Sequence, residues 1–231
     1  MLGLLKRTLM VMKQWNKRFG GISYEYAYDI QQTTDGGYIV SGSTNSYGID
    51  DAWLVKTDSN GNEQWNKTFG GLEREGAISV RQTIDGGYIF LGWTYSYGKG
   101  ADDAWLVKTD SNGNEQWNKT YGGGLYDNSY SLQQTTDGGF IFSGNTNSYG
   151  SSKEAWLVKT DSNGNEIWNK RFVWTPFDNF YSVQQTLDGG YIAAGGINLL
   201  GYDDVVLLKT DSNGNEIWNK TFGGVLSWVF G

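Results

Sequence analysis

The sequence predicts an all-β fold: a β-propeller of four-stranded antiparallel blades of about 50 residues, with four complete blades and part of a fifth. Three observations predict it. Trp15, Trp65, Trp117, Trp168 and Trp218 each stand in W-N-K, at spacings of 50, 52, 51 and 50. The same step relates Asp35, Asp85, Asp137 and Asp188, each heading D-G-G. It also relates Trp53, Trp105, Trp156 and the exceptional Val206, each before L-V-K-T-D or its variant. Finally, 34 Gly against 1 Pro, with aromatics at 16%, suits many short strands joined by tight glycine turns and suits long helices poorly.

Four segments alternate within one repeat. Strand A is expected at Ala27 to Thr33, strand B at Tyr38 to Ser43, strand C at Ala52 to Thr57 and strand D at Glu63 to Phe69. Asp35-Gly36-Gly37 joins A to B. Asp58-Ser59-Asn60-Gly61-Asn62 joins C to D and centres on Asn-Gly, the pair that tolerates positive φ, so both links read as hairpins. In strand D, Trp65, Lys67 and Phe69 share one face, which makes the recurring tryptophan a core residue between sheets. Residues 1–231 thus form one domain. Residues 1–20 are a partial blade, 21–70, 71–122, 123–173 and 174–224 are complete blades, and 225–231 supply an inner strand of the partial one. In the opening segment Leu4 to Lys6 reads as a worn strand C and Gln14 to Phe19 as a strand D. An unpaired blade edge invites pairing with a second copy, so a homo-oligomer through the incomplete blade is expected.

Charge and residue inventory narrow the function. The net charge of -7, without a basic run, disfavours phosphate backbones and anionic lipid, so no nucleic-acid partner is expected. With no Cys and no His, thiol chemistry, imidazole catalysis and the usual zinc ligands are absent, and neither a cofactor nor a metal is expected. D-S-N-G-N resembles the start of a calcium loop but has Phe69 where the closing glutamate belongs, so hydrogen bonding within the turn is the preferred reading. No apolar run reaches the length of a spanning helix, and Lys6 and Arg7 interrupt the apolar N-terminus, so neither a membrane span nor an export signal is expected.

The unit T-D-G-G-Y-I, followed by W-L-V-K-T-D-S-N-G-N-E-Q-W-N-K-T-F-G-G, resembles the repeats of large secreted or surface β-propeller proteins of archaea and bacteria, over residues 15–224. The run at Asp58, Gly61 and Trp65 is distantly similar to the tryptophan-docking motif of quinoprotein-like propellers. That similarity implies blade-to-blade packing rather than a bound quinone. The surface family implies a binding or adhesion role and an extracellular or cell-surface location.

Strand order puts the D–A and B–C loops on one face and the hairpins on the other. Every length change between repeats falls in the B–C loop. Two sets of acids recur on that loop face: Glu25, Glu75, Asp127 and Asp178 in the D–A loop, and Asp51, Asp103, Glu154 and Asp204 ending the B–C loop. They read either as loop-fixing acceptors or as an acidic rim for a cation, an amine or sugar hydroxyls. Aromatics crowd the same loops, Tyr97 and Trp174 among them, and rings beside carboxyls suit a glycan, with a protein ligand as the other candidate. The leading expectation is a non-enzymatic binding or adhesion module. A carboxylate-dependent glycosidase or lyase is the alternative, weakened because the acids recur with near-fourfold symmetry where a catalytic pair should break it. A purely structural propeller from recent blade duplication is the third.

Overall fold

The computed structural model describes residues 15–46, 49–150, 152–199 and 202–223. Among them, 16 strands form four four-stranded antiparallel sheets, with no helix. The first sheet holds β1 (Glu25–Gln32), β2 (Tyr38–Thr44), β3 (Asp51–Thr57) and β4 (Glu63–Phe69), and the second β5 (Glu75–Gln82), β6 (Tyr88–Thr94), β7 (Asp103–Thr109) and β8 (Glu115–Tyr121). The third holds β9 (Asp127–Gln134), β10 (Phe140–Thr146), β11 (Glu154–Thr160) and β12 (Glu166–Phe172). The fourth holds β13 (Asp178–Gln185), β14 (Tyr191–Leu199), β15 (Tyr202–Thr210) and β16 (Glu216–Phe222). Each sheet is a meander in chain order. Strand D falls where the sequence puts it, whereas strand A starts earlier, at Glu25, because Glu25 still pairs with Thr44.

Turn chemistry explains the meander. In the A–B hairpin, Gly36 takes φ +81°, and Asp35 accepts a 3.0 Å hydrogen bond from the Gly37 N–H. A Cβ at Gly37 would lie 2.1 Å from the Thr57 carbonyl oxygen, so the second glycine of D-G-G permits close backbone approach. In the C–D hairpin, Asp58 Oδ1 accepts from the N–H groups of Asn60 and Asn62, both at 2.8 Å, and Asp58 Oδ2 accepts from the Asn62 amide. The turn aspartate thus spends its oxygens on the turn itself.

Hydrophobic cores lie between successive sheets. Ile39, Leu54 and Phe69 of the first sheet meet Val80, Phe90 and Trp105 of the second, and the second–third and third–fourth junctions repeat the arrangement. The A strands pack in series, β1 on β5, β5 on β9 and β9 on β13, which is a propeller-like arrangement. Burial corrects one expectation. Trp105 and Trp156 of strand C are fully buried, while Trp65, Trp117 and Trp168 of strand D are only half-buried. Strand D is an edge strand of its sheet, so its tryptophan is covered on one side, by the first residue of the next sheet's strand B and by that sheet's C–D turn. Trp65 lies 5.6 Å from the Tyr88 ring, and a Cβ at Gly113 would sit 2.8 Å from it. Trp117 with Phe140 and Gly164, and Trp168 with Tyr191 and Gly214, repeat the contact.

Trp15 makes the same contact with Tyr38 and Gly61, although no strand forms at 15–19. The predicted strand C at Leu4 to Lys6, residue Gln14 and the inner strand at 225–231 lie outside the described residues. No helix among the described residues is long and apolar enough to cross a membrane.

Candidate ligand-binding face

The B–C and D–A loops are tied together between neighbouring sheets. The N–H groups of Glu75 and Asp127 donate to the carbonyls of Asp50 and Asp102 at 2.7 Å, and that of Asp178 donates to the Lys153 carbonyl at 3.0 Å. This ladder puts both predicted acid sets on one face.

Loop bonding occupies the first set. Glu75 accepts from the Gly71 and Ser96 N–H groups and the Thr94 hydroxyl, Asp127 from the Gly123 N–H and the hydroxyls of Thr146 and Ser148, and Asp178 from the N–H groups of Trp174 and Thr175. All three are fully buried. Glu25 accepts from Ser46 and Gly21, and the Ser46 hydroxyl in particular lowers its pKa. In the second set, Asp103 accepts from the N–H groups of Lys99 and Gly100, and Glu154 pairs with Arg171 at 3.1 Å. Asp204 is buried against Gly223. Asp51 stands beside Glu75 across Gly70, and burial, then the charges of Glu75 and Asp50, raise its pKa. Tyr97 packs on Trp105 and donates its hydroxyl to the Gly70 carbonyl at 2.8 Å. Trp174 is half-buried: it stacks on Phe172 at 5.9 Å and meets Phe180 edge-on.

The face gathers a different group around a cleft of about 450 Å³ lined by Asp50, Arg74, Trp93, Tyr95, Asp102 and Asn128. Here the second repeat departs from the others. Trp93 stands where the other repeats have Ser43, Asn145 and Gly196, Tyr95 where they have Asn45, Asn147 and Asn198, and Arg74 where they have Tyr24, Tyr126 and Phe177. A compensating change accompanies Trp93. Its cross-strand partner is Gly76, where a Cβ would lie 2.7 Å from the indole, while the corresponding partner of Ser43 is Tyr26. Trp93 and Tyr95 meet edge-on at 5.8 Å, and Arg74 Nε lies 3.7 Å from Asp50 Oδ2.

No family model and no curated protein matches this chain. Among solved structures it is similar to the crystal structure of a putative exo-beta-1,3-galactanase from Bifidobacterium bifidum s17, with a TM-score of 0.49 and 15% identity, over 85% of this chain and 72% of that one. The expectation of a chain without catalytic activity is withdrawn.

Asp102 is the unusual group of the cleft. It is 7% exposed, its Oδ1 has no hydrogen-bond partner, and burial, reinforced by the charges of Asp103 and Asp127, pushes its pKa up to about 7. A buried carboxyl in that condition exchanges its proton near neutrality, so it donates a hydrogen bond when protonated and accepts one when ionised. Motif reading passed over Arg74, Trp93 and Asp102, because it sought what the repeats share. The legible signal was the departure of one repeat from the rest. Among the described residues no group of three or more acids is placed to hold a metal ion.

Proposed function

We propose that the chain is a carbohydrate-binding β-propeller of the surface-repeat type, taking its ligand on the D–A/B–C face at the cleft around Asp102. The observation that carries this reading is the break in the repeat. Three of the cleft's side chains, Arg74, Trp93 and Tyr95, differ from every equivalent residue in a chain whose C and D strands and hairpins are nearly identical between repeats. Sugar C–H faces stack on indole and phenol rings, while hydroxyls bond to carboxyls, amides and guanidinium. Asp102 and Asn128 supply such partners beside Trp93 and Tyr95. Trp93→Ser and Tyr95→Asn test it on a glycan array, since each installs the first repeat's own residue. Each is expected to weaken hits by about 2- to 10-fold, the worth of one stacking plane. Two variants with the unaltered array profile would rule the cleft out.

A carboxylate-dependent hydrolase is the second reading, favoured by the pairing of Asp102, poised near neutrality, with Asp50, held by Arg74, in one cleft. If it holds, Asp102→Asn abolishes reducing-end release from an array-identified glycan and leaves glycan binding in place.

We also propose that copies associate through the first and last sheets. Tyr26, Tyr28 and Ile30 of the first, and Ile217, Trp218 and Phe222 of the last, are exposed.

A further inference from the structure

A second cleft, of about 540 Å³, adjoins the first and shares Asn128 with it. Its rim is apolar: Leu125, Tyr126 and Phe177 are each half or more exposed. Within it stands Lys153, at the position that the other repeats give to Asp50, Asp102 and Asp203. The substitution reverses the charge that this position carries at the other junctions. The backbone fixes the lysine in place, its N–H donating to the Pro176 carbonyl at 3.1 Å and its carbonyl accepting from the Asp178 N–H.

Nothing nearby neutralises that ammonium. No carboxylate lines the cleft, and Lys153 forms no ion pair among the described residues. The adjacent Glu154 is committed to Arg171. Partial burial lowers the Lys153 pKa, the direction expected of a cation short of an anionic partner. Asn147 supplies a second unmet need. Its counterpart Asn45 accepts a 2.8 Å hydrogen bond from the Tyr24 N–H, whereas Asn147 Oδ1 is buried without a partner. A ligand hydroxyl would satisfy it.

We infer that this cleft selects acidic saccharides, with a uronate carboxylate on Lys153, a hydroxyl on Asn147 and the sugar's apolar face against Tyr126 and Phe177. The inference rests on the carbohydrate-binding reading above and adds the charge class of the sugar. A net charge of -7 repels anions at long range, so a local cation without a competing acid is what makes such selection possible.

The test is an array of galacturonate, glucuronate and mannuronate oligomers beside the methyl ester of each, read with the wild-type chain, Lys153→Met and Lys153→Asp. The wild type should prefer at least one acid over its ester by about tenfold, the worth of one charge-assisted hydrogen bond. Lys153→Met should equalise the pair by weakening the acid alone, and Lys153→Asp, which restores the common repeat residue, should favour the ester. Equal binding of acid and ester by the wild type, or an acid preference that survives Lys153→Met, overturns the acidic-sugar inference and leaves the carbohydrate reading intact. Failure of every sugar, charged or neutral, overturns both, as does capture of an acidic peptide alone in the same format.

Discussion

At the scale of single residues, Asp102 of the loop face and the aspartates of the A–B hairpins titrate in opposite directions. In the first hairpin, hydrogen bonds from Lys56, the Thr33 hydroxyl and the Gly37 N–H hold the Asp35 pKa down at about 2. For Asp85 and Asp137, burial opposes the shift and the same kinds of bond outweigh it. The Thr186 hydroxyl, Lys209 and the Gly190 N–H do likewise for Asp188, and all three again reach about 2. These folded values lie below the unfolded value of about 3.9, so their contribution is present above pH 4 and is lost as pH falls from about 4 to 2. Asp102 behaves oppositely. Raised to about 7, it keeps a proton that the unfolded chain releases near 4, so its contribution falls as pH rises across that window. Stability measured by urea titration should therefore decline on both sides, and Asp102→Asn should remove the decline between pH 4 and 7 without touching the acid limb. Lys56→Met should weaken the acid limb. It should also cost about 1–3 kcal/mol at neutral pH, since the Thr57 carbonyl loses the ammonium that donates to it at 2.7 Å.

At the scale of elements, a sheet's outer strand is held by the tryptophan it lends to the next sheet. Depth sets the cost of losing it. Trp156→Ala empties a fully buried site and should cost about 3–5 kcal/mol, whereas half-buried Trp117→Ala should cost less, about 2 kcal/mol. Two glycines, Gly113 that receives Trp65 and Gly138 of the third A–B hairpin, separate backbone strain from crowding. Gly113 and Gly138 both take left-handed φ, +76° and +83°, but a Cβ at Gly113 meets Trp65 at 2.8 Å and one at Gly138 meets nothing within 4 Å. Gly138→Ala should cost about 1 kcal/mol from φ alone. Gly113→Ala should cost measurably more, and near-equal losses would mean that the Trp65 ring moves aside freely.

At the scale of the molecule, three junctions among the described residues repeat one design, and large apolar side chains of the first and last sheets are exposed. Trp218 presents the same docking surface as Trp65 but stays exposed, while the matching receptor on the first sheet already holds Trp15. The proposed association of copies therefore rests on the other exposed side chains of these sheets, Tyr26, Tyr28, Ile30, Ile217 and Phe222. A mass in solution above the 25.7 kDa of one chain is the expected outcome, and a strictly monomeric species at micromolar concentration would refute it.

The sheet order, the hairpins and the position of strand D were legible in the sequence because each follows from local chemistry: period-two alternation, Asn-Gly and Asp-Gly turns, and a step of 50 to 52 residues. Repetition also placed the two acid sets on one face. Loop-fixing acceptance was one of two readings it offered for these acids, and the bonds of the first set to loop N–H and hydroxyl groups chose it, because an acid serving a loop and one serving a ligand look alike in a repeat. Only packing between sheets decided that Trp174 lies against Phe172 and Phe180, and that Asp102 is desolvated beside Trp93 and Tyr95. Burial and proximity at these positions arise where the loops of neighbouring sheets meet, as where the Asp127 N–H donates to the Asp102 carbonyl, whereas the sequence pattern is written within one repeat.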